Sequence, residues 1–170
     1  GLVPKAEHYQ GWEEQSLAGH SLGHHLSACA LMYQTSDDTI FLNRVKYMVD
    51  ELALCQAQDA DGYIGAFTGG KGVFVREVAK GQITAKPFNL NGIWSPFYTM
   101  HKVMAGLKDA DRLTDNALAL QVNTKFADWI GQIMSGLTTE QVQDVLATEH
   151  GGINETLVDL YAATGEDKYL

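Results

Sequence analysis

A short stretch of this chain is written more than once. Tyr33, Ser36, Asp38, Phe41 and Leu42 return, in chemistry and spacing, as Tyr161, Thr164, Glu166, Tyr169 and Leu170. Thr114, Asn116, Leu118 and Leu120 form a weaker third copy. Each copy follows an apolar run of helical period, and a cluster of histidine, aromatic or acidic residues stands in front of each run. Repetition of this kind constrains the fold strongly. A repeated unit cannot bury its apolar face alone, so neighbouring units must stack and share a core. The expected fold is all-α: helical hairpins forming part of an α/α toroid, with the polar clusters at repeated helix starts facing one shared cleft.

The apolar spacing places the elements. Residues 11–34 read as one helix, with Leu17, Leu22, Leu26, Ala30 and Met32 on its apolar positions. Ser36, Asp37 and Asp38 end it and cap a partner helix over residues 38–57, which carries Phe41, Val45, Met48, Val49, Leu52 and Cys55 on one face. Residues 59–93 form a glycine-rich insertion with scattered aromatics, a length uncommon for a bare loop and often functional. Its valine-rich part, residues 73–78, is compatible with a short β-ribbon. Pro96 suits the first turn of a helix running to about residue 110. A partner helix covers about 113–135, a short helix 138–146, and a last helix starts near Gly151.

With 170 residues the chain can form one domain with a sizeable core. It opens on Gly1 and stops on Leu170 inside a helical pattern, as expected of a part excised from a longer protein. The net charge of -9 argues against nucleic-acid and anionic-membrane partners, which need a basic patch, and suits a neutral or cationic small ligand. There is no run of 18 apolar residues to span a membrane. Cys29 and Cys55 lack metal spacing and are expected to be buried free thiols on helices.

Three clusters can carry chemistry. In the first, Trp12, Glu13, His20, His24 and His25, the pair His20 and His24 shares a helical face at i and i+4. That spacing can hold a metal, but Ser21 stands where a zinc protease needs its glutamate. Gly19 and Gly23 flank the histidines. Since a helical glycine costs roughly 1 kcal/mol against alanine, the pair points to close approach of a ligand or of another helix. In the second cluster, Tyr98 and His101 share a face at i and i+3, with Trp94 just ahead. Aromatic faces beside polar ring tips are what a sugar needs, and equally what an aromatic plug would use. The third cluster is Glu149, His150, Asn154 and Glu155 around Gly151 and Gly152. Its two carboxylates can serve as acid and base, or merely as helix-start acids. Asp59 to Gly62 resembles a calcium loop, but position twelve is Gly70, which rejects it.

The strings GWEEQSLAGHSLGHHLSACALMYQTSDD, CQAQDADGYIGAF, NGIWSPFYTMHKVMAGLKDA and EHGGINETLVDLYAATGEDKYL together resemble the N-terminal part of the β-L-arabinofuranosidase glycosidases, families 127 and 146. NGIWSPFYTMHK and EHGGINE carry most of the specificity. The resemblance implies a catalytic (α/α)6 barrel, of which residues 1–170 would be the front half. It further implies a retaining hydrolysis releasing β-linked L-arabinofuranose from plant glycans or glycoproteins. In the family a cysteine thiolate is the nucleophile, held by a zinc ion bound by further cysteines and a glutamate, and a second glutamate is the acid/base. Cys29 and Cys55 each stand alone and match none of these. Nucleophile, acid/base and zinc are therefore expected outside this chain, which is expected to bind no metal itself. His24, Trp94, Tyr98, His101, Glu149, His150 and Asn154 are the expected sugar-binding residues.

Two other readings compete. Another (α/α)6 carbohydrate enzyme, an unsaturated-uronide hydrolase or polysaccharide lyase, would want Arg or Lys in its cleft, and no Arg stands beside these clusters. A non-catalytic helical scaffold would bury His24, His101 and Asn154 singly, each satisfied by backbone. Either way, half a toroid leaves helix faces through which the chain is expected to self-associate.

Overall fold

A computed structural model of the chain describes residues 2–7, 9–14, 17–67, 69–149 and 151–170. The fold is all-α. Among the described residues the helices are α1 (His20–Ser36), α2 (Thr39–Gln56), α3 (Gly70–Arg76), α4 (Pro96–Thr114), α5 (Ala117–Met134), α6 (Thr139–Leu146) and α7 (Gly152–Thr164). Three two-residue strands, β1 (Ala85–Lys86), β2 (Asn89–Leu90) and β3 (Ile93–Trp94), form an antiparallel meander that pairs Ala85 with Leu90 and Asn89 with Trp94.

The helices stack in two layers. In the front layer α4 lies between α1 and α7. Behind it, α2 and α5 pack against each other and against their hairpin partners α1 and α4. The first two turns of α4 meet the first two turns of α1 on one side and the start of α7 on the other, so the three front helices run in the same direction. Leu26, Ala30, Val45, Val49, Leu107, Ala110 and Ala119 are fully buried between α1, α2, α4 and α5. A second core surrounds Phe74, Phe126 and Trp129, where the insertion delivers Phe67, Val78 and Leu90 to the helices.

The repeated sequence is the hinge of each hairpin. Ser36, Thr114 and Thr164 occupy the last helical position and donate their hydroxyls to the carbonyls of Met32, Ala110 and Leu160, at 2.6, 2.6 and 2.7 Å. The next residue is left-handed in every copy: Asp37 at φ 56°, Asp115 at φ 52° and Gly165 at φ 73°. A left-handed residue after the last turn reverses the chain and frees its carbonyls for capping. Asp38 and Asn116 then cap α2 and α5, accepting from the N–H groups of Ile40 and Ala119.

Of the two glycines expected inside a helix, Gly19 precedes α1 and only Gly23 lies within it, facing another helix. A Cβ on Gly23 would strike the carbonyl of Lys102 on α4, and one on Gly106 of α4 would stand 2.6 Å from the carbonyl oxygen of Gly23. The facing glycines bring the two backbones together and set the separation of the residues at their starts.

Four expectations are corrected. The described residues 11–14 and 17–19 are not helical: Gly19, at φ 106°, stops the helix at His20, and the turn at 11–14 leaves Glu13 free to cap. Residues 73–78 lie mostly in α3 and a 3-10 turn (Val78–Lys80) rather than a ribbon, because Phe74 and Val78 bury one helical face against Trp129. α4 continues to Thr114. Of the two thiols only Cys29 is buried, while Cys55 is exposed on α2.

Candidate functional site

The starts of α1, α4 and α7 converge. Pro96 opens α4 at a position needing no N–H partner, behind a left-handed Ser95. The next two N–H groups, of Phe97 and Tyr98, donate to the Glu149 carboxylate at 2.8 and 3.0 Å. Glu149 thus ties the lead-in of α7 to α4, and both its oxygens are engaged. Burial raises its pKa above the ordinary glutamate value, against the pull of the two N–H groups and Ser95. Glu13 does the same for α1, accepting from the N–H of Gly19 at 2.8 Å and of Ser21 at 2.7 Å. There burial is outweighed by the hydrogen bonds from Ser21 and Gly19 and by the nearby His20, and the pKa is lowered.

Tyr98 is the junction. Its hydroxyl lies 3.4 Å from His20 Nδ1 and 3.3 Å from His24 Nε2. The Nε2 of His20 stands 3.4 Å from Glu13. One turn on, the buried His101 brings Nε2 to 3.3 Å from Glu155, while its Nδ1 faces Gly152, where a Cβ would stand 3.1 Å away. Lys102 lies over the Tyr98 ring, 5.4 Å from its centroid. Burial and the Lys102 charge together lower the pKa of His24, and likewise that of His101, where Glu155 opposes them. Trp94 leaves β3 half-buried, edge-on to Trp12 with centroids 6.2 Å apart.

Of the seven expected residues, Tyr98, His101, Glu149 and Asn154 line one cavity of about 280 Å³ between α4, α5, α6 and the start of α7, whose other walls are apolar side chains such as Ile130, Met134 and Val145. His24 joins this group through Tyr98, and Trp94 stands before the same turn of α4. His150 lies outside the described residues. His24 and Asn154 are exposed, while His101 is buried and held by a side chain, not by backbone, so the three do not form one exposed patch. A larger cleft of about 980 Å³ opens between residues 9–13, α1 and α2, next to Arg44 and Tyr47. It includes Glu13 and His20 but none of the seven. Sequence reasoning left Lys102 out, although it directly follows His101. Glu13 and Glu155 belong to the sequence clusters but not to the expected sugar contacts, and the contacts that make each informative, to the start of α1 and to His101 of α4, arise only in the fold.

Residues 1–170 match the family model described as Beta-L-arabinofuranosidase, GH127 catalytic domain. No curated protein matches the chain.

Proposed function

This chain belongs to the β-L-arabinofuranosidase family of GH127 catalytic domains, which makes it part of a glycoside hydrolase, and we propose that it supplies the front half of an (α/α)6 sugar cleft. The substrate proposed is a terminal β-linked L-arabinofuranose on a plant glycan or glycoprotein, hydrolysed with retention. The observation that carries this reading is that His24 meets Tyr98 while Tyr98, His101 and Asn154 line one cavity, bringing together anticipated sugar contacts from three separate helix starts.

Each group has a task in that reading. Trp94, held edge-on by Trp12, offers an apolar ring for a sugar face to stack on. His24, Tyr98 and Asn154 present donors and acceptors to hydroxyls. The His101–Glu155 pair fixes one polar ring in the cavity floor. Glu149, with both oxygens on the α4 backbone, places Tyr98 rather than moving a proton.

A thiolate-bound zinc does not fit the donors of this chain. Cys29 on α1 and Cys55 on α2 are separate free thiols, one buried and one exposed. Among the described residues no three metal-ligating side chains gather. Zinc, cysteine nucleophile and acid/base are proposed to come from other parts of the complete catalytic domain. Lys102 beside Tyr98, and Arg44 in the larger cleft with Glu13 and His20, where no Arg was expected beside the clusters, favour an anionic sugar, the substrate of a uronide hydrolase or lyase.

Hydrolysis of p-nitrophenyl β-L-arabinofuranoside by the complete domain and by this chain alone tests the reading, with an unsaturated uronide disaccharide as the competing substrate. Turnover of the arabinofuranoside by the complete domain only is expected. Turnover of the uronide instead, or activity in this chain by itself, would overturn it.

A further inference from the structure

Glu13, His20, Tyr98 and His24 form one connected line, with separations of 3.4, 3.4 and 3.3 Å. A phenol has one proton, so Tyr98 can donate to only one of the two histidines and must accept from the other. Two polarities of the line are therefore possible, and Glu13 selects between them. An ionised carboxylate only accepts, and the Glu13 charge 3.4 Å from Nε2 favours keeping a neutral His20's proton on that atom. Its Nδ1 is then a bare acceptor and takes the Tyr98 proton. The Tyr98 oxygen in turn receives the N–H of His24 Nε2, which leaves His24 Nδ1 without a proton.

We infer that Glu13 is a positioning residue which, through His20 and Tyr98, fixes His24 as its Nε2–H tautomer and so offers Nδ1 as a hydrogen-bond acceptor. That Nδ1 has no partner among the described residues, and the ring is exposed at the start of α1. The ligand it suits is a hydroxyl donor, which rests on the sugar-cleft reading above; the tautomer itself does not. Three features of the line agree. Glu13 is anchored by two backbone N–H groups, so its oxygens cannot turn away. Its carboxyl is held below the ordinary range by the hydrogen bonds from Ser21 and Gly19, which outweigh burial. Lys102, over the Tyr98 ring, adds to burial in keeping His24 neutral.

Long-range ¹H–¹⁵N spectra of the histidine rings in the 170-residue chain, without ligand and at pH above the histidine range, test this. In the wild type both His20 and His24 are expected as Nε2–H, by at least about fivefold, the bias one hydrogen bond supplies. In Tyr98→Phe, His24 is expected to lose that preference while His20, still on Glu13, keeps it. In Glu13→Gln both rings are expected to change, although Glu13 touches only His20, and Glu13→Gln added to Tyr98→Phe should move His24 no further. His24 as Nδ1–H in the wild type, or a His24 signal indifferent to Tyr98→Phe, would overturn the inference, and neither depends on Glu13→Gln folding. Because no sugar is present, these results stand apart from any failure of the arabinofuranosidase assay.

Discussion

Glu149 accepts the backbone N–H of Tyr98 at 3.0 Å, and with it the N–H of Phe97, from a position more than fifty residues further along the chain. The first turn of α4, and with it the ring that meets His20 and His24, is held by a carboxylate arriving from the lead-in to α7. Glu13 does the equivalent work at the start of α1. Two helix starts are thus anchored by glutamates lying outside those helices, where the positive end of the helix dipole favours them.

Glu149→Ala leaves two N–H groups of α4 without an acceptor and is expected to lower stability by about 1–2 kcal/mol, as loss of an N-cap does. Gln should recover part of this, since its single carbonyl oxygen can replace one of the two acceptors. Urea denaturation of the three proteins gives the order wild type, Gln, Ala. An unchanged midpoint in the Ala variant would show that the cap carries no stability.

Gly23→Ala forces a methyl against the Lys102 carbonyl on a neighbouring backbone, and is expected to cost about 1–3 kcal/mol by overpacking. Gly131→Ala on α5 is the contrast. Gly131 is exposed and helical, nothing lies within 4 Å of its added Cβ, and alanine there should gain about 0.5–1 kcal/mol. Opposite shifts in thermal midpoint are the expected result.

The hinges predict a pair of opposite substitutions. Gly165 has open space around its Cβ position, so Gly165→Ala should cost only the left-handed strain, about 1 kcal/mol. Asp115, left-handed at the equivalent place, already carries that strain, and Asp115→Gly should leave stability equal or higher by up to about 1 kcal/mol. Chemical denaturation of both variants reads this directly.

His101 gives a pH dependence of definite sign. Its folded pKa lies below the ordinary 6.5, because burial and Lys102 outweigh Glu155. The unfolded chain therefore binds the proton more readily. The His101 contribution to stability is complete above pH 6.5 and falls away as pH drops through the depressed folded value. His101→Asn, which does not titrate, should flatten the stability profile on the acid side of about 6.5. An identical slope in both proteins would remove burial as the cause.

Local chemistry made much of this legible from residue order. The hinges could be read because a hydroxyl closing one helix and an Asp or Asn opening the next act within a few residues. The shared face of Tyr98 and His101 follows from helical spacing alone. Other features depend on distant partners. Leu17 continues an apolar spacing, yet Gly19 turns left-handed and α1 begins only at His20. Residues 73–78 are rich in valine, but burial of Phe74 and Val78 against the Trp129 core overrides β propensity. That Glu149 caps α4 and not its own helix is a tertiary fact with no local signal. Lys102 directly follows His101, but its place above the Tyr98 ring depends on the fold and has no local signal.

The most direct test of the account is kcat/KM for p-nitrophenyl β-L-arabinofuranoside in the complete catalytic domain carrying Tyr98→Phe, His24→Ala or His101→Ala, with Tyr47→Ala in the larger cleft as the control. The account predicts at least about a tenfold loss in each of the first three, roughly one hydrogen bond to a well-oriented group, with the fold retained and Tyr47→Ala unaffected. Full activity in both Tyr98→Phe and His101→Ala would contradict it.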